Sequence, residues 1–356
     1  MPESAAATPG LRARIEAHLQ RQWFGPPTPV RRGVGACLRP LSWAVARAAS
    51  RRRQSIAQAR ELPRPSGAPQ VVIVGNLIVG GTGKTPLLIA LANALGQRGW
   101  RVGIIARGHR AAGAANAPML LTEHARALDA GDEPVLMARR TGCPVAVGHD
   151  RAGALRLITD HTDCNLVLSD DGLQHLALRR DLELAVFDAR GAGNGACLPE
   201  GPLREPLASA LLMDAVVLNG AETPAPVAHS RLFRFGVRPA AVIRLNDRHT
   251  WSFEAFTRQI GSEVIDAVAG IGAPERFFST LTSAGLRIRP HALSDHAPID
   301  PVWLAALPAR WLIMTEKDAV KCEGFDAGLQ ARCVALRIEA EVPAAMLDWL
   351  EVRLRG

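Results

Sequence analysis

The chain has 356 residues, 48% hydrophobic, 4% aromatic and 21% charged, with a net charge of +8. That length buries a substantial core and suits two domains plus an extension. Cys37, Cys143, Cys164, Cys197, Cys322 and Cys333 lie scattered without a C-x-x-C pair, which argues against a disulfide framework or zinc site and fits a reducing cytosol.

The opening "MPESAAATPGLRAR" has no apolar core and does not read as a secretory signal. Residues 1–65 hold twelve Arg and three Glu, a balance of +9, and the rest of the chain balances to −1. Within this extension, "LRPLSWAVARAASRRRQSIAQAR" mixes Leu38, Leu41, Trp43 and Val45 with Arg39, Arg47 and the run Arg51, Arg52 and Arg53. A spanning helix needs ~20 mostly apolar residues, and these charges interrupt it too soon. A basic amphipathic helix on an anionic membrane surface fits better. The competing readings are a solvated helix packed on the core and a nucleic-acid partner. No recognition fold or aromatic platform accompanies the charge, so no nucleic acid is expected, and no obligate protein partner is evident.

After the punctuation "ELPRPSGAP", residues 66–225 read as a phosphate-binding α/β domain. Val71 to Val74 form a β-branched run suited to a buried parallel strand. Pro86 falls in the first turn of a following helix, and Leu87, Leu88, Leu91 and Leu95 give its apolar stripe. Between them lie Ile78, Val79, Gly80, Gly81, Thr82, Gly83, Lys84 and Thr85, read together as a P-loop that cradles phosphate. Its N–H groups face the phosphates, Lys84 reaches the β/γ oxygens and the Thr85 hydroxyl takes Mg²⁺. The usual first glycine is Ile78 here. Only Lys84, Lys317 and Lys321 are lysines, against 39 arginines; a compact ammonium fits between phosphates where a planar guanidinium does not.

Further along, "GDEPVLMARRTG" places Asp132 and Glu133 before a short helix that Gly142 stops, with helix capping as the plain role of Asp132. Leu166 to Leu168 read as a strand with Asp170 and Asp171 at its C-terminal end, where open α/β sheets bind ligands. Those acids are read as holding Mg²⁺ beside the P-loop. "LPEGPLREP" sets Arg204 and Glu205 in a proline-fenced loop, and residues 219–245 look like a hinge. Residues 226–356 form a smaller α/β domain in which Asp295 precedes His296 and a strand precedes Lys317.

The ordered set "VGNLIVGGTGKTP", "ARGHR", "GDEPVLMARRTGCPVAVGHDR", "DDGLQH", "NGACLPEGPLREP", "AGIGAPERFF", "SDH" and "TEKDAVK" resembles the tetraacyldisaccharide 4′-kinase family, the bacterial lipid A 4′-kinases. The resemblance runs from about residue 35 to 320. It implies transfer of the ATP γ-phosphate to the 4′-hydroxyl of an acylated glucosamine disaccharide 1-phosphate at the cytoplasmic face of the bacterial inner membrane. It further implies two α/β domains joined by a β hinge, with Asp132 and His296 activating the hydroxyl. Lys84 and Thr85 would bind phosphate and metal, with Asp170, Asp171 and Glu205 around the Mg²⁺. Ala273, His109–Arg110 and Leu176 depart from the family pattern. A P-loop hydrolase acting as a switch or metallochaperone, and a non-catalytic membrane-docking module, are the competing functions.

Overall fold

The computed structural model describes residues 11–26, 28–60, 67–108, 117–122 and 125–355. His109–Arg110 lies outside them. The extension comprises α1 (Leu11–Phe24) and α2 (Pro29–Arg60). There follow β1 (Gln70–Gly75), α3 (Lys84–Gln97), β2 (Val102–Ala106), β3 (Met119–Leu120), α4 (Ala127–Ala130), α5 (Asp132–Thr141), β4 (Val145–Val147), α6 (Arg151–His161), β5 (Leu166–Asp170), β6 (Leu182–Phe187) and β7 (Ala215–Asn219). A long β8 (Leu232–Arg244) leads into β9 (Thr250–Ser252), α7 (Phe253–Ile260), β10 (Val264–Ala269), α8 (Pro274–Ser283) and β11 (Arg287–Ala292). The chain closes with α9 (Pro301–Ala306), β12 (Leu312–Thr315), α10 (Glu316–Ala319), α11 (Ala327–Arg332), β13 (Cys333–Glu341) and α12 (Ala344–Arg355).

The strands join in the order β11-β10-β12-β13-β8-β7-β6-β1-β5-β2-β4-β3, with β9 added on β8. β1 lies parallel to β5 and β6 at the centre of the N-terminal half. Its Val72 and Val74 join the core formed with Leu87, Leu91 and Leu95 of α3. Val71 and Ile73 point into the opposite core, with Ile158 of α6. A strand covered on both faces needs the continuous apolar run seen here, and each fully buried Leu contributes about 1.5–3 kcal/mol.

The stretch expected to be a hinge contains one continuous strand serving both halves. Leu232 to Phe235 of β8 pair parallel with β7, and Gly236 to Arg244 pair antiparallel with β13. One boundary differs from the simple division at residue 226. Met346, Leu347, Leu350 and Leu354 of α12 return to the core beside α3, because that apolar stripe finds its cover in the N-terminal half.

Helix α2 is longer than its apolar segment suggested, and it is packed as well as exposed. Ser42, Ala49, Arg53 and Ile56 are buried at helical spacing, and Val45 and Ala46 pack on the core. Leu41 and Trp43 are 57% and 67% exposed. The Arg51–Arg53 run is therefore not one solvated face: Arg53 is 4% exposed and pairs with Glu183 and Glu205, while Arg51 faces outward. Successive helical residues turn by about 100°, so three adjacent arginines cannot share a face. Among the described residues no helix is long and apolar enough to cross a membrane.

Candidate active site

The C-terminal ends of β1 and β5 open into a cleft of about 900 Å³ lined from both halves of the sheet. The loop after β1 is held by one of its own side chains and one from the end of β7: Asn76 Nδ2 donates to Gly80 O at 2.9 Å, and Asn219 Nδ2 donates to Thr82 O at 3.1 Å. Gly80 and Gly83 have φ of 89° and 86°, the left-handed region that glycine enters freely. Helix α3 begins at Lys84, and Gly80 to Thr85 line the cleft. Ile78 and Val79 do not: Ile78 is fully buried in the core and bridges Leu203, and Val79 N donates to Pro202 O at 3.0 Å. The apolar side chain standing where the usual pattern has glycine is thus absorbed by packing.

A methyl group on Gly83 would sit 2.3 Å from Asn219 Nδ2. Gly83→Ala should therefore destabilise the fold by about 1–3 kcal/mol through left-handed strain and this clash, and should abolish nucleotide binding. Calorimetric titration with ATP and the unfolding midpoint check both; a variant that binds ATP normally removes the loop from the nucleotide site.

Asp170 and Asp171 stand where the sequence placed them. Lys84 Nζ lies 3.4 Å from Asp171 Oδ1, and Arg204 Nη1 donates to Asp171 Oδ2 at 2.8 Å. Burial pushes the Asp171 carboxyl up, but Lys84 and Arg204 outweigh it and hold it well below the usual carboxylate range. Asp170 is the contrasting case. Burial and the nearby Glu133 push its carboxyl up to about 7, against the pull of Lys84, and its buried Oδ1 has no partner. A buried carboxylate in that state calls for a cation. Arg151, from the "GHDR" motif, is buried behind this pair and donates to Asp170 O at 2.8 Å.

Asp132 and His296, 164 residues apart, meet across the cleft. His296 Nδ1 lies 3.0 and 3.1 Å from the two Asp132 oxygens. Asp132 is the first residue of α5, but Gly131 occupies the cap position, and the carboxylate also accepts from Glu133 N at 3.0 Å. Burial raises the Asp132 carboxyl, yet His296, Lys317 and Lys321 together bring it below its ordinary value. Its ionic contribution to stability is accordingly present above the ordinary carboxylate range and is lost as acid protonates it. His296 holds φ 58°, rare for a residue with a side chain. Lys317 Nζ sits 3.2 Å from His296 Nε2 and 3.1 Å from Glu133 Oε1, and Lys321 Nζ sits 3.7 Å from Asp132 Oδ2. An ammonium only donates, so Nε2 accepts and Nδ1 carries the proton to Asp132, a tautomer assigned from these partners.

Glu205 is not brought to the cleft. It is 2% exposed, accepts from Arg53 Nη2 at 3.0 Å and from Gln174 Nε2 at 2.7 Å, and is not among the cleft-lining residues. A buried carboxylate takes the nearest cation, and here the extension supplies it. Of the departures from the family pattern, Ala273 lines the cleft just before α8, and Leu176 is 46% exposed. Sequence reasoning left Lys317 undecided and missed Lys321 and Arg204. The rarity of lysine in an arginine-rich chain was the available signal for the first two.

A family model described as tetraacyldisaccharide-1-P 4′-kinase matches residues 34–355. The chain is 43% identical over 342 residues to a tetraacyldisaccharide 4′-kinase of Dechloromonas aromatica (strain RCB), covering 95% of this chain and 97% of that one. It is 41% identical over 322 residues to the corresponding kinase of Ectopseudomonas mendocina (strain ymp), covering 90% and 92%. Among solved structures, LpxK from Aquifex aeolicus in complex with ATP aligns with a TM-score of 0.73 at 24% identity, over 90% of this chain and 99% of that one. That likeness establishes the shared α/β fold.

Proposed function

The chain belongs to the tetraacyldisaccharide-1-P 4′-kinase family, and from that premise we propose how its cleft performs the transfer. The enzyme phosphorylates the 4′-hydroxyl of tetraacyldisaccharide 1-phosphate, with ATP as donor, giving the 1,4′-bisphosphate lipid IVA of lipid A biosynthesis. The observation that carries the assignment of roles is that two charged sets face one cleft: Lys84 with Asp171 after the central strands, and Asp132 with His296 across from them.

The backbone N–H groups of Gly80 to Thr85 and the start of α3 hold the ATP phosphates, and Lys84 balances charge that builds on the transferring group. Asp132, oriented by His296, takes the proton of the 4′-hydroxyl. The hydroxyl oxygen then bonds to the γ-phosphorus as the bond to the β-phosphate oxygen breaks, and ADP leaves. Thr85, Asp170 and Asp171 suit Mg²⁺: they offer hard oxygen donors, and the buried Asp170 Oδ1 lacks a partner. When bound, Mg²⁺ would neutralise phosphate charge there. Arg276 of α8 donates to Asp188 beyond β6 at 2.8 Å, linking the two halves beside the cleft; closure about β8 excludes water from the reaction. Labelled ATP, incubated with and without the acylated disaccharide 1-phosphate, tests the assignment. Label appearing in lipid only when acceptor is present supports it. Phosphate release alone selects a hydrolytic switch, and no reaction selects a docking module.

The acceptor is a lipid, and α2 supplies a surface for reaching it at the cytoplasmic face of the inner membrane. Its exposed Leu41 and Trp43 accompany outward Arg47 and Arg51. Each Arg near an anionic surface contributes about 1 kcal/mol, fading over a Debye length of ~8 Å. Replacing Leu41 and Trp43 by Ser and Arg47 and Arg51 by Glu should release the protein from acidic vesicles in flotation assays. It should also raise the apparent KM for bilayer-embedded acceptor while leaving that for ATP unchanged. Undiminished vesicle binding by this variant would overturn the membrane role. Arg53 is left alone, since its buried ion pairs would confound the result.

A further inference from the structure

Arg53 stands at one end of a hydrogen-bonded chain that reaches Asp171, which in turn forms an ion pair with the P-loop lysine. Its Nη1 donates to Glu183 at 2.7 and 2.8 Å, and its Nη2 donates to both Glu205 oxygens at 3.0 Å. Gln174 Nε2 donates to Glu205 Oε1 at 2.7 Å, and Gln174 Oε1 accepts from Arg204 Nη1 at 3.4 Å. Arg204 Nη1 also donates to Asp171 Oδ2 at 2.8 Å, and Asp171 Oδ1 faces Lys84 Nζ at 3.4 Å. Donors and acceptors alternate as hydrogen bonds from Arg53 to Asp171 Oδ2, and the last link, Lys84 to Asp171 Oδ1, is an ion pair without a hydrogen bond. Only one orientation of the Gln174 amide satisfies both neighbours, with nitrogen toward the carboxylate and oxygen toward the guanidinium. The Arg53 end is buried and anchored twice, since Arg180 Nη1 also donates to Glu183 at 2.9 Å. The Lys84 end opens into the cleft.

We propose that Arg53 and Gln174 are positioning residues for phosphoryl transfer, acting through Glu205 and Arg204 to fix Asp171 and Lys84. A helix of the N-terminal extension thereby sets the geometry of the phosphate site, although among the described residues none of its side chains reaches that site through a direct bond. Displacement of Arg204 by even a small amount loosens Asp171, and Lys84 then loses the carboxylate that aims it. Misplacement of a charge-stabilising group lowers turnover more than substrate binding, because its work is done in the transition state.

The inference rests on the P-loop assignment of Lys84 and Asp171, and the test separates the two. Gln174→Met in the full chain removes both amide bonds and leaves the buried Arg53–Glu205 pair intact. It should lower kcat about tenfold with KM for ATP and acceptor within about twofold, at an unchanged unfolding midpoint. Arg53→Lys keeps the buried charge but cannot hold both Glu205 oxygens in the same fork, and should lower kcat similarly. The double variant should be no slower than the worse single one, because both break one path. Turnover of Gln174→Met within about twofold of the parent, or a double loss equal to the product of the single losses, overturns the relay. Should Gln174→Met be normal while Lys84→Ala is inactive, the relay alone falls. An active Lys84→Ala removes the P-loop assignment beneath it.

Discussion

Lys84→Ala is expected to lower turnover by ~10³-fold or more while the protein stays folded. The lysine opens α3, its side chain is 11% exposed, and its ammonium faces Asp171 at 3.4 Å. Phosphoryl transfer gives a protein little covalent work, so positioning and charge stabilisation carry the rate. Removing this cation leaves Asp171 with Arg204 as its near counter-charge and leaves the phosphate without its compact one. Little core packing is lost, because the α3 stripe of Leu87, Leu88, Leu91 and Leu95 is untouched. Lys84→Arg should also be poor: the guanidinium is planar and wider, and the loop narrows where Asn219 and Arg190 bond to Thr82 O and Gly81 O. Steady-state rates on purified, folded variants check both. A folded Lys84→Ala enzyme with near-parental turnover would sink the P-loop role.

The central part of this site was legible because it is local. A β-branched run, glycines, Lys-Thr and a leucine stripe specify strand, loop and helix within a few turns of chain, and β1 and α3 fall where that pattern put them. The acidic pair was legible for the same reason, since the end of a buried strand is visible in its own residues. Long-range pairings were not. Nothing in the local sequence says that Glu205 takes Arg53 from 152 residues away instead of facing the cleft. A run of three arginines reads as one patch on paper, whereas the helix turns Arg53 inward and Arg51 outward. The C-terminal helix likewise carries an apolar stripe whose partner, beside α3, only the fold reveals. The lysines make the opposite lesson. Their scarcity marked Lys84, which opens α3 at the cleft, and the same count pointed equally to Lys317 and Lys321, which the fold places around His296 and Asp132.

Asp132→Asn should lower kcat by ~10²-fold or more while ATP still binds, because the amide has no proton-accepting charge. The substitution changes shape little and keeps an oxygen for Glu133 N, so the start of α5 should persist. His296→Ala should produce a comparable loss for a different reason: Asp132 keeps its charge but loses the imidazole that fixes both its oxygens. Lys317 and Lys321 remain nearby in either variant, and they hold the carboxylate ionised without setting its direction. If the carboxylate and imidazole act as a unit, the double variant should lose little more than the worse single one. Fully multiplicative losses would mean that the residues work independently. Turnover close to parental in Asp132→Asn, with binding and folding intact, would reduce Asp132 to an ionic tie between the two halves. The left-handed backbone at His296 offers a further discriminator. A merely structural histidine, once replaced by Ala, leaves a strained position whose removal costs stability and not chemistry. A kcat loss far exceeding the change in unfolding free energy therefore assigns the imidazole to the reaction.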